Sequence, residues 1–141
     1  RLYNNALTTL PDEIGALANL VELHAQGNQI SVLPDAIGQL PTPTKLDLQA
    51  NQLSMLPESI GQLAQLTELN LRFNQISVLP ESLTQLQSLE YLDLRANQLT
   101  AVPANLHHLS NLRKLDLRWN NLEVYQPCLT ALAHRGCLVY T

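Results

Sequence analysis

The sequence predicts an α/β solenoid, a right-handed coil with short parallel strands along a concave side and short helical turns along a convex side. Three observations predict it. A pattern repeats every 23 residues. Positions three to seven of each unit alternate outward and inward, as in Tyr91-Leu92-Asp93-Leu94-Arg95, which is the period of a half-buried strand. A proline then recurs where the chain must cross back to reach a parallel neighbour.

The elements follow in order. Residues 1–19 carry the pattern from its fifth position onward, with Asn5, Leu7, Leu10, Pro11, Ile14 and Leu17 in register, so the chain begins inside a repeat. Full units occupy 20–42, 43–65, 66–88, 89–111 and 112–134, and a capping helix and strand are expected over about 127–141. All of this forms one domain of seven rungs. Pro11, Pro34, Pro57, Pro80 and Pro103 fix φ where a helical turn begins and lack only an N–H that would be unpaired there. Asp12, Asp35, Glu58 and Glu81 follow four of them and suit the positive end of such a turn. Apolar residues three and six places after the proline, such as Ile60 and Leu63, close the core; Gly15, Gly38 and Gly61 recur as turn residues. Leucine, at 32 of 141 residues, is thus one set of core positions copied along the chain, and no unit buries its leucines alone.

Departures from the pattern make further predictions. Pro41 and Pro43 flank Thr42 at the start of a unit, Pro43 stands at a core position, and Ala25 replaces Leu on the preceding strand; an irregularity is expected at residues 40–44. Tyr125 replaces the usual Leu, Pro127 comes one residue late, and CLTALAH reads as a longer helix ending at Gly136. With the register continued without insertion, Leu138 and Tyr140 fall on core positions, while Cys137 and Val139 point outward. At the other end Leu2, Leu7, Leu10, Ile14 and Leu17 face outward along the stack, from which a preceding region is expected to have been removed; the alternative is packing on another chain.

The unit pattern LxxLxLxxNxLxxLPxxIGxLxx resembles the leucine-rich repeat family over the whole chain. Its LPxxIGxL half is similar to the 23-residue repeats of the Ras suppressor, the LAP scaffolds Erbin and Scribble, plant intracellular Ras-group proteins and Roco proteins. The resemblance implies a non-catalytic protein-interaction module. It also implies that the column Asn5, Asn28, Asn51, Asn74, Asn97 and Asn120 is a buried ladder bonding neighbouring turns. The sharp bend there, whose backbone groups need partners, points the same way.

Binding is therefore expected on the concave face. Its C-terminal half gathers Arg72, Phe73, Tyr91, Asp93, Arg95, Lys114, Asp116, Arg118 and Trp119. All eight Lys and Arg fall on positions one to seven, giving the strand side about +2 against a net charge of −4 for the chain. That points to an acidic protein or peptide partner, with Phe73, Tyr91 and Trp119 as apolar anchors. The Asp and Arg rows equally allow mutual neutralisation as surface pairs worth about 0–1 kcal/mol each.

Other classes fit poorly. The acidic balance argues against nucleic acid, and no apolar run reaches the ~18 residues of a membrane span. Two Cys give no disulfide framework, so a reducing, cytoplasmic setting is expected. No nucleophile elbow, phosphate-cradling glycine motif or metal-ligand spacing is found, so neither an enzyme nor a cofactor is expected. An adventitious metal contact among His107, His108, His134 and Cys128 and a reactive thiol at Cys137 are the remaining chemical options. Two alternatives stay open: a recruiting segment of a larger enzyme such as a Roco GTPase, and a structural unit that self-associates. The chain is expected to be a monomer, with weak association through its uncapped N-terminal end.

Overall fold

The computed structural model describes residues 1–123 and 126–141; Tyr125, expected to mark a changed final turn, lies outside the described residues. Six short strands form one parallel sheet in chain order: β1 (Glu22–His24), β2 (Lys45–Asp47), β3 (Glu68–Asn70), β4 (Tyr91–Asp93), β5 (Lys114–Asp116) and β6 (Leu138–Tyr140). From β1 to β5 the register is 23 residues, Glu22 beside Lys45 and Lys45 beside Glu68. The first rung continues the ladder with its backbone, the Leu2 N–H donating to His24 O at 2.7 Å and the Asn4 N–H to Gln26 O at 2.9 Å.

On the opposite side run single turns of 3₁₀ helix at Asp12–Ala16, Asp35–Gln39, Glu58–Gln62, Glu81–Gln85 and Leu106–His108. Pro11, Pro34, Pro57 and Pro80 sit one step before these turns in extended backbone, φ −67° to −73°. Each proline carbonyl accepts the N–H three residues on, at 3.0–3.1 Å. Between sheet and turns lies the core, in which Leu46, Leu48, Leu53 and Ile60 have no exposed surface. Leu10 and Ile14 are buried as well, against the expectation for the N-terminal end: the following unit covers them, and of the five only Leu17 is exposed, at 46%, Leu2 and Leu7 being half-buried.

Gly15, Gly38 and Gly61 are there for room. A Cβ on Gly38 would lie 2.3 Å from Ser59 O and one on Gly61 2.4 Å from Ser82 O, because the next convex turn presses on them. Gly61→Ala should therefore destabilise the chain by about 1–3 kcal/mol in urea denaturation, since backbone has to shift to admit a methyl.

The irregularity at residues 40–44 has a backbone cause. In neighbouring units the residue closing the turn donates back into it, as Leu66 N–H does to Leu63 O at 3.0 Å and Ala64 N–H to Gln62 O at 2.8 Å. Pro41 and Pro43 stand at the equivalent places and have no N–H to give. Leu40, preceding Pro41, is pushed to ψ 119° where the matching residues have ψ 66°–83°.

The C-terminal register differs from the one expected. Helix α1 (Pro127–His134) replaces the 3₁₀ turn and ends in a Schellman motif: Gly136 at φ 93°, with Cys137 N–H donating to Leu132 O at 3.1 Å and Gly136 N–H to Ala133 O at 3.0 Å. That motif turns Cys137 into the core beside Leu132, both buried. β6 then pairs Leu138 with Lys114, Val139 with Leu115 and Tyr140 with Asp116. One residue has been inserted, and a slip of one flips every side chain of a strand. Leu138 and Tyr140 are exposed and Val139 packs on the core. Arg135, counted on the strand side by the unbroken register, instead caps the end of the preceding 3₁₀ turn through His107 O and Leu109 O.

Candidate functional site

The bend after each strand is built around its Asn. Asn74 Nδ2 donates to Leu71 O of its own bend at 2.9 Å and to Leu48 O of the preceding one at 3.1 Å, while its Oδ1 accepts the Leu53 N–H at 3.0 Å. Asn28, Asn51, Asn97 and Asn120 repeat this set, each serving the unit before it. Asn5, in the first described rung, bonds Leu2 O and Tyr3 O among the described residues and is exposed. The residue just before each of these Asn lies in left-handed backbone: Asn4, Gly27, Ala50, Phe73, Ala96 and Trp119 at φ 52°–68°. Glycine takes that conformation freely and small residues at modest cost, but for a bulky ring it is an outlier costing about 1 kcal/mol or more.

Above the bends lies the sheet's solvent face. Asp93 and Asp116 each take the Arg two residues on, which lies on the same face of the strand. Arg95 Nε donates to Asp93 Oδ1 at 3.0 Å; Arg118 reaches Asp116 with both Nε (2.9 Å) and Nη2 (2.7 Å). Asp116 is only 1% exposed, and Arg95 Nε stands 3.5 Å from it as well. Burial alone would raise the Asp116 carboxyl, but the Arg118 hydrogen bonds and charge, helped by Arg95, hold it below its ordinary value. Both guanidinium groups are pushed up in turn by their aspartates.

The sign of the resulting pH dependence follows. A depressed folded pKa stabilises the fold above the ordinary Asp value, near 3.9, and that stability is lost as pH falls through the lower folded value. The melting temperature should therefore drop on acidification below about pH 4. Asp116→Asn should be less stable at pH 7 and show a shallower acid drop; an identical acid profile would refute the assignment.

Two ladder features depart from the neutralised pattern. Asn70 stands where the neighbouring rungs have Asp, and its Nδ2 donates to Asp47 Oδ1 at 3.1 Å. Arg72 is left without a carboxylate among the described residues, its Nε shielded from solvent and bonded to nothing, its guanidinium 4.9 Å from the Phe73 ring centroid. Lys114 likewise has no carboxylate partner among them and lies 5.6 Å over the Tyr140 ring, whereas Lys45 is held by Glu68 at 2.7 Å. Phe73 and Trp119 stack across the intervening rung, centroids 6.5 Å apart and planes 20° off parallel. They are 46% and 67% exposed, and Tyr91, in mid-face, is 43% exposed. Tyr91 borders an open hollow of about 300 Å³ that also takes in Lys45, Asp47, Asp93, Lys114 and Asp116.

Eight of the nine residues expected to bind a partner lie on one face, but Asp116, 1% exposed, is covered by Arg118 and Arg95 and presents no surface of its own. Arg95 and Arg118 are committed to Asp93 and Asp116, while Arg72 and Lys114 are not. Leu138 and Tyr140 join them, Tyr140 5.2 Å from the Arg118 guanidinium. The signal that could have found these two is Gly136, whose place after the helix announces the extra residue.

The chemical options fare differently. Among the described residues no group of three or more His, Cys, Asp or Glu is placed to hold a metal ion. His107 and His108 meet edge to face, ring centroids 4.4 Å apart. Both Cys are buried free thiols pushed up by burial, so the outward, reactive Cys137 of the unbroken register is not what the fold places there. Among the described residues no helix is long and apolar enough to cross a membrane.

A family model described as a leucine-rich repeat region matches residues 26–135, and the chain belongs to the leucine-rich repeat family. Among solved structures it is similar to a leucine-rich repeat protein of Leptospira interrogans, with TM-score 0.94 and 35% identity over 100% of this chain. It spans 36% of that protein, about a third. It is also similar to the ectodomain of the Arabidopsis thaliana membrane receptor kinase GASSHO1/SCHENGEN3, solved in complex with CASPARIAN STRIP INTEGRITY FACTOR 2 (TM-score 0.82, 30% identity, 96% of this chain and 17% of that one). An internalin of Listeria monocytogenes matches at TM-score 0.80 and 26% identity, over 98% of this chain and 39% of that one. Comparison with curated protein sequences gives no match.

Proposed function

We propose that this chain is a non-catalytic interaction module that grips an acidic protein or peptide segment on the C-terminal half of its concave sheet face. The observation that carries the reading is the cluster of Tyr91, Phe73, Trp119 and Tyr140, all exposed and set among two cations with no carboxylate partner among the described residues, Arg72 and Lys114. Exposed aromatics beside cations are the residue types that dominate binding energy at interfaces. Rigidity adds to this: each strand is locked to its neighbours by backbone bonds and the Asn ladder, so little order need be gained on binding. The similar plant ectodomain, seen in complex with CASPARIAN STRIP INTEGRITY FACTOR 2, supports reading the same fold as a binding surface here. The two free, buried thiols leave no disulfide to be lost in a reducing compartment, which supports a cytoplasmic setting.

The test uses random dodecapeptides displayed on phage and selected against the full chain. Selected peptides should be acidic, should bind more weakly as salt rises from 50 to 500 mM, and should lose at least tenfold in affinity on Tyr91→Ala combined with Lys114→Glu. Peptides that are neutral or basic and indifferent to that double substitution would overturn the reading.

A further inference from the structure

We propose that Arg72, Phe73, Ala96 and Trp119 form a two-part subsite within that face: Arg72 takes an Asp or Glu side chain, and the Phe73–Trp119 pair takes an aromatic side chain laid over Ala96. The inference rests on the interaction-surface reading above and narrows it to one occupant, an extended partner segment with an acid and an aromatic on the same side.

The first argument is that Arg72 is the ladder's exception. Arg95 and Arg118 each meet an aspartate on their own strand, but Asn70 takes that place on β3. The nearest acid of the preceding rung, Asp47, is already engaged by the Asn70 side chain at 3.1 Å and the Gln49 N–H at 3.3 Å. Arg72 Nε is therefore a shielded donor with no acceptor among the described residues. A planar guanidinium in this state lacks the one ligand whose geometry matches it, a carboxylate taking two donors at once.

The second argument is independent and concerns the rings. Phe73 and Trp119 occupy left-handed backbone at φ 55° and 62°, where the other rungs have Asn, Gly or Ala. Neither ring recovers that cost by burial, since both remain about half exposed or more. Every rung holds this conformation, so the bend does not require a large ring, and the stacked pair keeps apolar surface open to a partner. Ala96, half-buried between them, has no side chain large enough to part the two rings, which lean across it nearly parallel, 6.5 Å apart.

The two halves fit one chain. The Arg72 guanidinium lies 4.9 Å from the Phe73 centroid, on the approach to the ring pair. Residues i and i+2 of an extended segment project to the same side ~7 Å apart, so a segment whose acid meets the guanidinium can bring its next same-side residue to the ring pair. The motif selected should thus be acid-x-aromatic.

The same phage-displayed dodecapeptides test this. Peptides carrying acid-x-aromatic should be enriched and should shift the emission of Trp119, the protein's single tryptophan. They should lose at least tenfold in affinity on Arg72→Gln and on Trp119→Ala, with part of the loss recovered by Arg72→Lys. Phe73→Asn should weaken binding while the melting temperature holds or rises, because Asn is at ease in left-handed backbone; a lowered melting temperature would mark Phe73 as structural and overturn the proposal. Peptides that survive Arg72→Gln and Phe73→Asn but fall with Tyr91→Ala and Lys114→Glu would sink this subsite and leave the broader reading standing. Peptides indifferent to all of these substitutions would sink both.

Discussion

Asn74→Ala is expected to cost about 3–5 kcal/mol of stability, read as a lowered midpoint in urea denaturation followed by circular dichroism. The loss is built from three parts. The Leu53 N–H, bonded to Asn74 Oδ1 at 3.0 Å in a buried site, is left without a partner, which costs about 1–3 kcal/mol. Leu48 O and Leu71 O each lose one bond but keep another, from Asn51 and Asn97 respectively, so about 1 kcal/mol each is forfeited. A small void adds to these. Asn5→Ala is the control: its two bonds stay within its own exposed bend, so a change within about 0.5 kcal/mol is expected. Equal losses at the two positions would mean that the Asn column works by local bend preference and not by bridging units.

The second large effect is expected for Leu71→Ala, about 2–5 kcal/mol. Leu71 has no exposed surface and stacks between Leu48 and Leu94, which hold the same position in the adjoining rungs and are equally buried. Those neighbours are fixed by their own strands and bends, so they cannot slide in to fill the space, and most of the cavity cost persists. Leu2 holds the same position in the first rung but is half-buried with a neighbour on one side only. Leu2→Ala should cost less than half as much, and a similar loss at both positions would argue against a stack stabilised by nearest neighbours.

What could be read from residues alone was whatever the repeat states many times. The strand period, the turn after the proline and the Asn column each recur, so a single odd residue cannot obscure them. The C-terminal register was lost because it occurs once: after α1 replaces the 3₁₀ turn, counting by 23 no longer applies, and only Gly136 at φ 93° records the inserted residue. Close approach was hidden for a different reason. Gly38 and Gly61 look like turn residues in sequence, and the carbonyl pressing on each belongs to the following unit. At the candidate site the side-chain types were legible, but their partners were not. Asp93 and Arg95 pair because i and i+2 share a face, whereas Arg72 has no carboxylate among the described residues because Asn70 interrupts the row. That substitution is visible in the sequence, although its consequence depends on where Asp47 turns.

The Asn ladder has a direction, and direction matters during synthesis. The acceptor that completes the bend of one unit stands 21 residues further along the chain, as Asn74 does for Leu53 and Asn97 for Ile76. A unit leaving the ribosome therefore carries a bare amide at its bend until the next unit has emerged and closed it. At this bend amide each newborn rung is finished by its successor, so ordering should advance from the N-terminus one unit behind the growing end.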